Sequence, residues 1–166
     1  MLKKLGDKCP KIHPSAYINE TAYIVGDVEI GAESSIWPGV VIRGDYGSIR
    51  VGKRTNIQDN AVLHADDYLI IGDDVTVGHS AVVHCHKIGN NVLIGINSTL
   101  LGDAEVGDNC MVAAGSVVLE GTIVPNNSMV VGIPGKIRHM KEELKSRVTQ
   151  TAINYRRNAK RYKDLK

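Results

Sequence analysis

Between residues 88 and 106 the chain reads Ile88-Gly89-Asn90-Asn91-Val92-Leu93-Ile94-Gly95-Ile96-Asn97-Ser98-Thr99-Leu100-Leu101-Gly102-Asp103-Ala104-Glu105-Val106. Ile88, Ile94, Leu100 and Val106 stand six residues apart, and Val92, Ser98 and Ala104 each lie four residues after the preceding aliphatic. A period of six fits neither the 3.6-residue turn of an α-helix nor the simple alternation of a half-buried strand. It fits a chain that bends after every short straight segment, three segments closing one triangular coil. The aliphatic residue of each segment fills the interior, and the small residue lets the corner close.

The same period continues outward. Upstream it runs through Ile12, Ile18, Ile24, Ile30, Ile36 and Ile42, then Val51, Ile57 and Leu63, then Ile71, Val77 and Val83; downstream it takes Val112, Val118, Val124 and Val130. Of the 19 steps joining these 20 positions, 16 are six residues long, and the exceptions are 42 to 51, 63 to 71 and 83 to 88. Such regularity marks a repeat architecture, whereas a sandwich would show turns every ~8–12 residues. Glycines that follow the aliphatic position, such as Gly31, Gly52, Gly72 and Gly89, are read as points of sharp backbone turning. Three positions per coil give about seven coils, stacked at the ~4.8 Å interstrand spacing. Over residues 12–132 the pattern resembles the hexapeptide-repeat left-handed β-helix family. The left hand is implied by that resemblance alone, since general crossover rules favour the opposite one.

Composition agrees with a narrow, regular interior: the 166 residues are 43% hydrophobic, with no Phe and one Trp. After Val131-Gly132-Ile133-Pro134-Gly135 the period changes. Met140, Leu144, Val148, Ala152, Tyr155, Ala159 and Tyr162 follow three- and four-residue spacing, which predicts an amphipathic helix from about residue 138 to 164, antiparallel along one face of the coil. The expected fold is therefore all-β: a left-handed parallel β-helix of about seven triangular coils (1–135), with a C-terminal α-helix (136–166) packed along it in the same structural unit.

Charge divides at the same boundary. Residues 1–135 hold 9 Lys/Arg against 15 Asp/Glu, and residues 136–166 hold 11 against 3. The apolar stripe of the basic segment favours a helix covering an acidic body over a nucleic-acid or membrane-binding tail, and no aromatic-basic motif points to nucleic acid. Cys9, Cys85 and Cys110 are odd in number and suggest no disulfide framework. There is no apolar run of membrane-spanning length and no secretory-type leader pattern. The expectation is a cytoplasmic protein.

The histidines supply the chemistry. His64 follows Leu63 and His84 follows Val83, one full coil later, so the two imidazoles are expected to stack in one column about 4.8 Å apart, close enough to share a metal. His79 stands two places after Val77, on another part of the triangle. A threefold neighbour could bring it to the pair, which predicts a homotrimer with sites between subunits. His86 is read as a surface residue.

With these residues in view, the chain looks like a γ-class carbonic anhydrase or a close homologue. The matching segments are Val41-Ile42-Arg43-Gly44-Asp45, Thr55-Asn56-Ile57-Gln58-Asp59-Asn60, Val62-Leu63-His64 and Gly78-His79-Ser80-Ala81-Val82-Val83-His84. The resemblance implies that His64 and His84 of one subunit and His79 of its neighbour hold zinc, with iron(II) or cobalt also suited to three imidazoles. It implies that Gln58 contacts the reacting species and that Arg43, Asp45 and Asp59 form a charged supporting network. The implied reaction is reversible hydration of carbon dioxide to bicarbonate, since zinc at such an open site lowers the pKa of water from ~15.7 to about 7. The chain departs from the best-studied type in two places: Tyr46 stands where that type has a glutamate, and the loop Ala65-Asp66-Asp67-Tyr68 is short. Asp66 and Asp67 are read as ordinary loop carboxylates. Two other readings stay open, a hexapeptide acyltransferase using acyl-CoA, which the Val131–Lys136 exit segment resembles, and a non-catalytic metal-bound trimer serving as a scaffold.

Overall fold

The structure, a computed structural model, describes residues 1–164. The chain winds as a parallel β-solenoid of about seven coils, as the repeat predicts, followed by one helix, Glu142–Lys163, an architecture consistent with the left-handed β-helix that the resemblance implies. Most coil segments are two-residue strands ending on the aliphatic repeat position, and each pairs with the equivalent strand one coil away. Ile24, Ile36, Ile42, Ile57, Leu63, Val77, Ile94 and Leu100 are fully buried and form one continuous core along the axis. The small column seals the corners: Ser34 Oγ donates to the Gly52 carbonyl at 2.7 Å, and Thr55 Oγ1 donates to the Gly72 carbonyl at 2.8 Å.

The corners differ from the expectation in one respect. The left-handed backbone position falls three residues after the aliphatic one, at Glu33, Arg54, Asn60, Asp74, Ser80, Asn91, Asn97, Asp103, Asn109 and Asn127, with Gly39, Gly115 and Gly121 at equivalent places. Gly31, Gly52, Gly72 and Gly89, one residue after it, do not have positive φ; they are small because they stack directly on the next coil, where a Cβ on Gly72 would lie 2.8 Å from the Gly89 carbonyl. Beside them runs a ladder of side chains. Asp73 accepts from the Lys53 amide, Asn90 from that of Asp73, Asp108 from that of Asn90 and Asn126 from that of Asp108, at 2.6–2.9 Å. Each bond ties one coil to the next.

The three faces carry different outward columns. On the first, Tyr17, Ser35, Asn56, Thr76, Leu93 and Met111 are buried, because the helix lies along this face. Its N-terminal half packs Val148 with Met140, Leu93 and Met111; its C-terminal half packs Ala159 and Tyr155 with Tyr17 and Trp37, so it runs antiparallel to the rise of the coil. On the third face Lys11, Glu29, Arg50, Lys87 and Glu105 meet water. On the second, Tyr23, Val41, Val62, Val82, Thr99 and Val117 form a partly exposed, almost wholly apolar column. That column lies on the strands of a sheet shared with the third face, because Tyr23–Ile30 and Val41–Val51 continue around the corner between them.

The helix begins at Glu142, four residues later than its apolar spacing suggests. Lys136–His139 instead forms an antiparallel strand against Ser128–Val131 and completes the first face. Backbone pairing with an open strand edge outcompetes an extra helical turn there.

Candidate metal centre

All three breaks in the hexad rhythm stack at the corner between the second and third faces. The segments after Ile42, Leu63 and Val83 occupy three successive coils, with Ile42 opposite Leu63 and Leu63 opposite Val83. Arg43, His64 and His84 therefore form one column. The His64 and His84 rings stack with centroids 5.2 Å apart and planes inclined by 27°. Asp66, from the short loop after His64, comes within 3.4 Å of His84 Nε2. Ligand atoms of His64, Asp66 and His84 all lie within 4.8 Å of one another, a donor set suited to a divalent transition metal.

Asp45 links this column. Its Oδ1 lies 3.0 Å from His64 Nε2, and its other oxygen pairs with the Arg43 guanidinium. Partial burial works against the Asp45 carboxylate, yet the backbone N–H groups of Asp45 and Tyr46, the Arg43 charge and the bond from His64 together hold its pKa below the ordinary value. Lys8 from the N-terminal segment donates to the carbonyls of Asp45 and Tyr46 at 2.8 and 3.0 Å and so fixes this turn.

His79, Gln58 and Asp59 sit elsewhere, at the far end of the first face. Val77 pairs with Ile57, which puts His79 directly above Asp59, and Asp59 Oδ2 lies 2.9 Å from His79 Nδ1. A carboxylate on one ring nitrogen fixes the orientation of the ring and commits the other nitrogen to outside partners. Here Nε2 lies 3.2 Å from the hydroxyl of Tyr155 on the helix. Gln58 is buried, its Nε2 donating to Asn56 Oδ1 at 3.1 Å, while Asn56 donates onward to Thr76 at 2.8 Å. The structure thus brings together Arg43, Asp45, His64 and His84, and separately Gln58, Asp59 and His79.

Two residues of these groups escape the sequence reading. Asp66 looks like any loop carboxylate until the eight-residue step from Leu63 to Ile71 folds it towards His84. Tyr155 belongs to the helix's apolar stripe, and nothing in that spacing says that its hydroxyl reaches a histidine. Burial and the nearby Asp59 charge raise the Tyr155 pKa, so the phenol stays protonated. Tyr155→Phe keeps the ring contact with Trp37, now 5.4 Å between centroids, and removes only the hydroxyl. We expect it to lower unfolding stability by about 1 kcal/mol, measured by urea titration of the emission of Trp37, the sole tryptophan.

Comparison with known proteins identifies the family and agrees with the fold. Residues 9–44 and 85–120 match the bacterial transferase hexapeptide (six repeats) family. A carbonic anhydrase of Geobacillus kaustophilus is 47% identical over 132 residues, covering 78% of this chain and 72% of that protein. The mitochondrial γ carbonic anhydrase 1 of Arabidopsis thaliana is 39% identical over 163 residues, 93% of this chain. The chain spans 59% of the length of that plant relative. Among solved structures, a hexapeptide transferase family protein of Anaplasma phagocytophilum superposes with a TM-score of 0.93 at 39% identity, over 97% of both chains. With this much identity over most of its length, the chain belongs to the γ-class carbonic anhydrase-like family of hexapeptide-repeat β-helix proteins.

Proposed function

We propose that the protein is a metal-dependent carbonic anhydrase that works as a homotrimer, catalysing the reversible hydration of carbon dioxide to bicarbonate at sites between subunits. The observation that carries the reading is the division of the histidines: His64 and His84 stack at one end of the second face, and His79, oriented by Asp59, stands at the other. The second face is also the apolar one without a cover. Turning three such faces towards a common axis buries the valine column and carries each His79 to the His64–His84 pair of a neighbour. The names of the relatives support the activity, and the donor set fits the metal their chemistry requires.

In this reading His64, His84 and His79 of the partner subunit hold zinc, with iron(II) or cobalt as alternatives. Bound there, the ion supplies Lewis acidity that brings the pKa of water to about 7. The chain's own residues do the rest. Asp59 anchors His79 through Nδ1, and Asp45 ties His64 to Arg43, so the imidazoles meet the ion already oriented. Gln58, held by Asn56, keeps its carbonyl oxygen for orienting the reacting water or carbon dioxide. The sequence expectation of a cytoplasmic protein remains part of this proposal; among the described residues no helix is long and apolar enough to cross a membrane.

Metal content and stopped-flow hydration on the same anaerobically purified protein test the reading. We expect about one metal ion per subunit, a particle three times 18.0 kDa, and hydration above the buffer rate. A fully loaded trimer that leaves the buffer rate unchanged would remove the enzymatic claim and favour a scaffold. A second reading, acyl transfer from acyl-CoA, draws on the transferase family name of the Anaplasma structure. Saturable coenzyme A binding that persists without metal would favour it.

A further inference from the structure

A groove lies between the helix and the first face, and its origin is legible in one column. The residue just after the aliphatic position is Trp37, then Gln58, then Gly78, Gly95 and Ala113 in successive coils. Trp37 fills the gap under the helix, packing on Tyr155 and Tyr162 with centroids 5.4 and 5.0 Å away. Above Gln58 the column shrinks to Gly78 and Gly95, and between these coils and the helix residues Arg147, Thr151 and Tyr155 a space of 260 Å³ opens. Its walls are mostly apolar, from Leu93, Met111, Ile96 and Ala114. Its inner end holds Gln58, His79 and Tyr155, and Arg147 of the helix lines it as well.

Two features say what such a space would hold. Its volume equals that of about nine waters at their ~30 Å³ share of the liquid, far more than carbon dioxide needs, and near the lower end of small-molecule pockets at roughly 300 Å³. Arg138, Arg147, Arg157 and Arg161 have no ion-pair partner among the described residues, and of these four Arg147 is the one that lines the groove. An unpaired guanidinium beside an apolar trough is complementary to a carboxylate carrying a hydrocarbon body, since the planar fork matches the two oxygens.

We infer that this groove is a binding site for a small organic carboxylate, with its charged end on Arg147 and its apolar body against Leu93, Ile96, Met111 and Ala114. The inference stands on the single chain. It rests on the carbonic anhydrase reading only for its consequence, that an occupant would reach the Gln58–His79 end and modulate the site there.

The test titrates the purified full-length protein with 3-phenylpropanoate and with its neutral amide, by calorimetry, before and after removal of metal by a chelator. We expect saturable binding of the carboxylate in both states and at least tenfold weaker binding of the amide. Arg147→Gln abolishes that preference, and Ala114→Phe, which fills the groove from its rim, abolishes binding altogether. Both variants keep the metal content and particle size of the parent. Absence of saturable binding, or binding that disappears with the metal and ignores Arg147→Gln, overturns the inference. Metal uptake and hydration with no carboxylate binding would sink the groove and spare the hydratase; carboxylate binding without metal uptake would do the reverse.

Discussion

Neither His79→Ala nor His64→Ala protein holds metal or hydrates carbon dioxide, and a mixture of the two, unfolded and refolded together, recovers both: this is the result we expect. The reason is geometric. His64 and His84 are stacked on one corner, and His79 is held by Asp59 and Tyr155 on another. A His79→Ala subunit keeps the stacked pair, and a His64→Ala subunit keeps the isolated imidazole. In randomly assembled trimers about one interface in four joins an intact pair to an intact His79. Metal content and hydration should return to about a quarter of the parent value. Each single variant should lose more than the roughly 10–100-fold that follows loss of a residue merely supporting a ligand. Circular dichroism of each variant checks that the solenoid is intact. If the mixture recovers nothing although both variants fold and assemble, the site is not shared between subunits.

The second large effect concerns the coils themselves. Gly52→Val should destabilise the protein by about 3 kcal/mol or more, at the upper end of overpacking in a dense interior. A Cβ on Gly52 would lie 2.5 Å from the Gly72 carbonyl oxygen and 2.6 Å from its carbon, both backbone atoms of the next coil that cannot move without parting the stack. Gly115→Ala provides the contrast. At that corner no atom lies within 4 Å of the added carbon, and the only penalty is the positive φ of 67°, about 1–2 kcal/mol. Gly115→Asn should recover part of that loss, because asparagine already occupies this backbone conformation at Asn91, Asn97 and Asn109. Urea midpoints for the three variants measure the order. Equal losses for Gly52→Val and Gly115→Ala would mean that contact between coils is not what selects glycine at position 52.

The hexad period was enough to read a triangular solenoid, though not its hand, because aliphatics recurring at six-residue steps, buried from Ile24 onward, have no competing explanation. It was also enough to stack His64 on His84, since register in a solenoid is counted along the chain. What the period could not supply was anything set by length mismatch or by contact across elements. Asp66 approaches His84 because the corner after Leu63 is two residues longer than a hexad and folds back. Tyr155 meets His79 because the helix runs down the first face at one particular rotation, which the apolar stripe leaves open by a residue or so. The corner glycines were legible as special, but the reason, crowding from the neighbouring coil rather than turning, needed the stack itself. The late start of the helix has the same character: Lys136–His139 reads equally well as helix or strand until an unpaired strand lies beside it.

That final reversal of direction has a bearing on solubility. A tower of parallel coils ends in rows of unsatisfied amides and carbonyls that another tower could continue indefinitely. Here Lys136–His139 lies antiparallel over the last strand of one side, while Gly132 and Gly135 bond to Val117 over another. A second molecule arriving end-on meets chain of the wrong polarity and cannot extend the winding, so the segment acts as a stopper against fibre growth.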